Sequence, residues 1–166
     1  MSEWPTPEQA GPDQESVWQY PRPPRLEPFT GAITVELGGR VIASTIRSWR
    51  VLETSHPPTY YLPRAAFEPG VLRDGPGASM CEWKGQARYY DLVTEAAVAP
   101  KAAWTYPRPT RPFAELAGAI AVMASLVDRC TVDGETVVSQ PGGFYGGWIT
   151  SRVVGPFKGI PGSMGW

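Results

Sequence analysis

Apolar and polar positions alternate with a period of two over several short runs, and that pattern predicts strands. Ile33–Leu37 alternates in this way, Gly38-Gly39 follows, and Arg40–Ala43 resumes the pattern. Two such runs around a pair of residues that tolerate positive φ predict a hairpin with a primed turn. Arg129–Val132, Asp133-Gly134 and Glu135–Val138 predict a second. Further strands are expected at Trp49–Glu53, Tyr60–Leu62, Ala87–Val93 and Ala103–Tyr106, with Tyr89 and Tyr90 on opposite faces. Pro69–Gly77, dense in glycine and proline, reads as a loop. A helical period occurs once, at Phe113, Leu116, Ala117 and Ile120; Pro112 suits its first turn and Gly118 limits it to about two turns. The expected fold is mostly β: short twisted sheets and one short helix.

Composition changes this picture at the two ends. Met1–Glu15 is rich in Pro, Glu and Gln and buries too little apolar surface alone to offset its ordering entropy, so a mobile tail is expected, with Trp4 able to pin it. Residues 16–166 then form a single β-rich domain, within which 140–166 is an irregular, glycine-rich extension. That extension carries Phe144, Tyr145, Trp148, Phe157 and Trp166, which would leave a large apolar patch exposed unless they dock. Hydrophobic residues make up 42% of the 166 residues, enough for a core.

The formal net charge of -1 argues against nucleic acid as the partner, since phosphate binders are usually strongly basic. No apolar run reaches 18 residues, so no membrane span is expected. The N-terminal residues show no basic lead and apolar run, which suggests a cytoplasmic protein in which Cys81 and Cys130 stay free thiols.

The chemistry concentrates in one set of residues: Glu53, His56, Tyr61, Trp83, Lys84, Tyr89, Tyr90 and Trp104. His56 is the only histidine and precedes two prolines that stiffen its loop. It is a candidate general base or hydrogen-bonding anchor. Lys84, between Trp83 and Gly85, is a candidate anion binder, nucleophile or base. Cys81, His56 and Glu53 could form a thiol, base and orienter. No Cys-x-x-Cys is present and ligands are too few for structural zinc, so no metal is expected. Gly142–Trp148 lacks the Gly-Lys-Ser/Thr ending of a phosphate loop, and no cofactor is implied.

Three functions fit. A small anionic or planar ligand could sit in an aromatic pocket made by Tyr61, Trp83, Lys84, Tyr89, Tyr90 and Trp104. An enzyme could use the same pocket for transferase or hydrolase chemistry through His56, Lys84, Glu53 or Cys81. A scaffold could present the aromatic C-terminal segment to another protein.

One internal echo stands apart. Val17-Trp18-Gln19-Tyr20-Pro21-Arg22-Pro23 matches Ala103-Trp104-Thr105-Tyr106-Pro107-Arg108-Pro109 in Trp, Tyr, Pro, Arg and Pro. It reads either as two similar edge segments or as a pseudo-twofold.

Finally, Cys81-Glu82-Trp83-Lys84-Gly85-Gln86-Ala87-Arg88-Tyr89-Tyr90-Asp91 resembles the signature of the domain of unknown function 427 family, and Ala102–Pro107 is similar to its second hallmark. The resemblance covers about residues 32–122, with flanks similar to those of longer actinobacterial members. It implies a compact, bacterial, β-rich domain, with sheets meeting like a tent, and no known activity. A nucleotidyltransferase label has been attached to that family; no paired-carboxylate metal motif accompanies it in this chain.

Overall fold

The computed structural model describes residues 4–166. Among them are fifteen strands: β1 (Glu15–Ser16), β2 (Arg25–Phe29), β3 (Ile33–Leu37), β4 (Arg40–Thr45), β5 (Ser48–Leu52), β6 (Thr59–Tyr61), β7 (Leu72–Cys81), β8 (Gly85–Val93), β9 (Val98–Thr105), β10 (Ile120–Val122), β11 (Arg129–Val132), β12 (Glu135–Thr136), β13 (Val138–Ser139), β14 (Trp148–Ile149) and β15 (Val153–Val154). They make two four-stranded sheets, ordered β12-β11-β3-β4 and β10-β9-β8-β7, a three-stranded sheet β2-β5-β6, and the pairs β13-β14 and β1-β15. All pair antiparallel except β1 with β15. The fold is mostly β, and no helix among the described residues is long and apolar enough to cross a membrane.

Both hairpins form where the turn chemistry demands them. Gly38 and Gly39 take φ of 63° and 79°, and Asp133 and Gly134 take 48° and 83°. Ile33, Val35 and Leu37 on β3 are buried, while Thr34 and Glu36 are half-buried, as the alternation requires. The helical period yields a short 3-10 segment, Arg111–Leu116, beside three single-turn ones. It stops because Gly118 turns to φ 76°, and Ile120 joins β10 instead.

The loop expected over Pro69–Gly77 is corrected: Leu72–Cys81 is a strand at the edge of its sheet. The register skips between Asp74 and Ala78, so Gly75, Pro76 and Gly77 bulge out while the strand resumes. An edge strand with a bulge can carry a proline, because the missing N–H interrupts no ladder bond there.

The main core gathers Ile33, Val35, Ile42, Leu62, Leu92, Ala103, Ile120, Val122 and Trp148. Reciprocal bonds between Leu62 and Ile120 (2.8 and 2.7 Å) tie the end of β6 to β10, which brings the three-stranded sheet beside β7–β10. A second cluster, with Val51, Tyr61, Ala87, Tyr106, Phe113 and Leu116, fills the space between them. A third, of Val17, Tyr20, Leu52 and Val153, joins the two ends of the chain.

Of the expected mobile tail, Met1–Glu3 lie outside the described residues. From Trp4 onward the chain runs along the C-terminal segment: Glu8 N donates to Gly155 O (2.8 Å), and Trp4 packs edge-on to Trp18. The two copies of the echo differ locally. Val17–Gln19 is a 3-10 turn, whereas Ala103–Thr105 ends strand β9.

Candidate functional site

Beneath the second core cluster lies a cavity of about 560 Å³, and most of the sequence-selected residues meet there. Glu53 and His56 come from the tight turn after β5, in which His56 N donates to Glu53 O (3.0 Å) and Ser55 takes φ 72°. Tyr61 ends β6 and Cys81 ends β7. Trp83 and Lys84 sit in the β7–β8 turn, pinned from outside by Thr110, whose backbone N–H and hydroxyl donate to the Lys84 and Trp83 carbonyls. Ala87 and Tyr89 face the cavity from β8, and Trp104 stands opposite Tyr89 on β9. Trp104 Nε1 donates to the Tyr61 hydroxyl (3.3 Å).

Tyr90 is not among the cavity's walls. It lies on the other face of β8, receives a hydrogen bond from Arg64 (2.7 Å), and borders a separate recess of about 450 Å³ with Asp74, Arg88 and Arg108. Tyr89 borders both spaces, whereas strand alternation keeps Tyr90 out of the larger cavity.

Several further wall residues were not selected as site residues from the sequence. Lys101, Tyr106, Gln140, Phe144, Tyr145 and Lys158 also line the cavity. Gln140, Phe144, Tyr145 and Lys158 come from irregular chain, where periodicity has nothing to report. Lys101 sits at φ 52°, where β8 and β9 lose register around Asp91, and its backbone N–H donates to Asp91 Oδ1 (2.9 Å).

The cavity is aromatic and cationic. Lys84, Lys101 and Lys158 lie over the rings of Tyr106, Tyr89 and Tyr145 at 5.6, 5.4 and 5.5 Å. Lys84 and Lys101 join no ion pair among the described residues. Burial works against the Lys84 ammonium, but Tyr61, Cys81 and Glu53 outweigh it and raise its pKa, so it is charged at neutral pH. Glu53 is already committed, to Arg22 at 3.4 Å and to His56 at 3.6 Å. Burial also pushes the Tyr61 and Tyr106 hydroxyls up, so both remain neutral donors.

The protonation of His56 follows from its neighbour. Gly147 N–H donates to Gln140 Oε1 (3.1 Å), and Gln140 Nε2 donates to Lys158 O (2.9 Å), which fixes the amide orientation. Nε2 therefore also donates to His56 Nδ1 (3.0 Å), and the imidazole proton sits on the nitrogen facing Glu53. Burial, with Lys158, Arg22 and Lys84 nearby, lowers the His56 pKa to about 4. Both ring nitrogens are thus accounted for, and neither is bonded to Cys81 among the described residues.

Cys81 is half-buried on the cavity wall. Cys130 is a second free thiol, pushed up to about 12 by burial and by Glu36, in the main core. Among the described residues no group of three or more His, Cys, Asp or Glu side chains is placed to hold a metal ion.

No curated protein matches the chain. A family model described as Domain of unknown function (DUF427) matches residues 25–133, well over half of the chain, and takes in the walls contributed by β5 to β9. The protein belongs to that family.

Proposed function

We propose that the protein binds a small anionic ligand with a planar or aromatic part in the cavity beneath Lys84. The observation that carries this is Lys84 itself: a half-buried ammonium on an aromatic wall, with no carboxylate in contact among the described residues. The ammonium is charged at neutral pH and has no carboxylate within ion-pair distance among the described residues, so an anion is a natural occupant. The volume lies within the range of small-molecule sites, and the make-up, aromatic walls with a few polar anchors, is typical of them. Trp83, Trp104, Tyr61, Tyr89 and Tyr145 are the walls, with Lys84, Lys101 and Lys158 as cations. An enzyme working through His56 as base has less support, because Gln140 occupies one ring nitrogen and the proton occupies the other.

Thermal unfolding in the presence of benzoate and of inorganic phosphate tests this reading. At a hundredfold excess over its Kd a ligand stabilises by about 2.7 kcal/mol, which should raise Tm by several degrees. Lys84→Met should fold normally by circular dichroism and lose most of that rise. If neither probe moves Tm, or if Lys84→Met responds as strongly as the parent, the reading fails.

A further inference from the structure

We infer that the ligand is a hydrophobic monoanion, a carboxylate on an aromatic or alkyl body, that enters carboxylate first and leaves its apolar end between Met80 and Phe144. The inference rests on the anion-binding reading of the same cavity and adds the ligand's class and its orientation.

Charge sets the inner end. Lys84 is half-buried and stands beside Tyr61 and Tyr106, which are only 1% and 6% exposed. Lys101 is exposed at the outer part of the lining, and the Lys158 ammonium already donates to the Trp166 carbonyl oxygen (3.2 Å). One inner cation is therefore free. Glu53 on the same lining is neutralised by Arg22 at 3.4 Å, and His56 adds no positive charge. A single negative charge balances this set, whereas a dianion would be left partly uncompensated in a half-buried place. The neutral Tyr106 hydroxyl adds a hydrogen-bond donor on the same wall.

The walls fit a flat body. Trp83 and Trp104 line it together with Tyr145, which is carried in by the glycine-rich segment. Gly146 lets that segment lie against the Trp104 indole, in a space where any Cβ would collide with the ring. The segment's wall is thus fixed in place by a close backbone approach.

The outer end is apolar. Met80 is 74% exposed and Phe144 is 80% exposed, yet both belong to the cavity lining. Phe144 stands edge-on to Tyr145, their centroids 4.9 Å apart, so the rim continues the aromatic wall outward. Two large apolar side chains at the mouth, above a buried cation, select a ligand whose polarity runs the same way. An apolar end resting on them removes both surfaces from water.

Isothermal titration calorimetry with benzoate, 4-ethylbenzoate and 4-butylbenzoate tests the inference, with 4-butylbenzyl alcohol as the uncharged control and inorganic phosphate, at a pH well above its second ionisation, as the dianion. Affinity should rise about threefold per added methylene, close to full burial of each. The alcohol should bind at least about tenfold more weakly than 4-butylbenzoate, and Lys84→Met should erase that difference. The double variant Met80→Ser, Phe144→Ser, at two exposed positions, should flatten the chain-length series. Equal affinities along the series would overturn the apolar-end assignment while leaving the anion site standing. Phosphate binding more tightly than every benzoate would overturn the monoanion, again with the anion site intact. If neither phosphate nor any benzoate binds, the anion site itself falls and this inference with it.

Discussion

The tautomer of the imidazole in the cavity wall is set by three contacts. The Gly147 N–H and the Lys158 carbonyl orient Gln140, and Gln140 then caps His56 Nδ1. Linkage gives this a consequence. In the unfolded chain His56 titrates near 6.5; in the folded chain burial and three nearby cations bring it to about 4. Between those values the unfolded chain binds the extra proton, so stability falls as pH drops from about 6.5 to about 4 and levels off below. The full loss is about 3 kcal/mol. Urea denaturation from pH 7.5 to 4 should show it in the parent, and His56→Asn, which has no group to titrate, should lack that part of the curve. Parallel pH curves for the two proteins would remove the assignment. Nothing in the sequence announced this, because His56 and Gln140 are 84 positions apart.

At the scale of elements, the segment from Gln140 to Trp148 both closes the cavity and enters the core. Trp148 is 1% exposed, stacks on Tyr60 with centroids 5.2 Å apart, and donates from Nε1 to Val122 O (3.0 Å). Trp148→Ala should cost about 3–5 kcal/mol, read as a lower midpoint in urea. Gly147→Ala should act differently. Its Cβ would fall 2.6 Å from Pro57 O and from Gln140 Oε1, so the segment must shift. We expect a loss of about 1–3 kcal/mol together with weaker binding of any cavity ligand. A Gly147→Ala protein as stable as its parent would mean that the close approach is not needed. The tight contacts here explain what the sequence revealed and what it did not. The Gly38-Gly39 and Asp133-Gly134 turns were legible because positive φ leaves a residue signature. The aromatic content after Gln140 was legible as material for docking. The edge strand β7 was not, because Gly75-Pro76-Gly77 has the composition of a loop and only pairing with β8 shows that they form a bulge. Of the cavity, Glu53, His56, Tyr61, Cys81, Trp83, Lys84, Tyr89 and Trp104 were legible as chemistry. Lys101 and Lys158 were not, since a lysine on strand β9 and one in irregular chain both look like any solvated lysine.

At the scale of the whole molecule, both ends of the chain are tied to the three-stranded sheet through one cation. Arg50, in the middle of β5, is 8% exposed, and its guanidinium meets Glu15 (2.9 Å) and Glu27 on the neighbouring strand β2. Glu15 begins the parallel pair with β15, and it also accepts a hydrogen bond from Tyr20 (2.8 Å). Trp18 Nε1 donates to Pro156 O (2.9 Å), and the Trp18 ring packs against Trp166. Loss of the cation therefore leaves two carboxylates facing each other where the N-terminal segment, the sheet and the C-terminal segment converge. The carboxylates are partly open to water, at 45% and 35% exposure, so the cost should lie between that of an exposed pair and that of a fully buried one. We expect Arg50→Met to lose about 2 kcal/mol on that basis. Adding Glu15→Gln should restore part of the loss, because Glu27 still has Arg25 at 3.4 Å and the carboxylate left without an ion-pair partner is then gone. A double-mutant cycle in urea measures that coupling directly. Strictly additive losses would show that the ion pairs contribute nothing beyond packing, and that the two ends are held by their backbone pairing and the Trp18 and Val153 contacts.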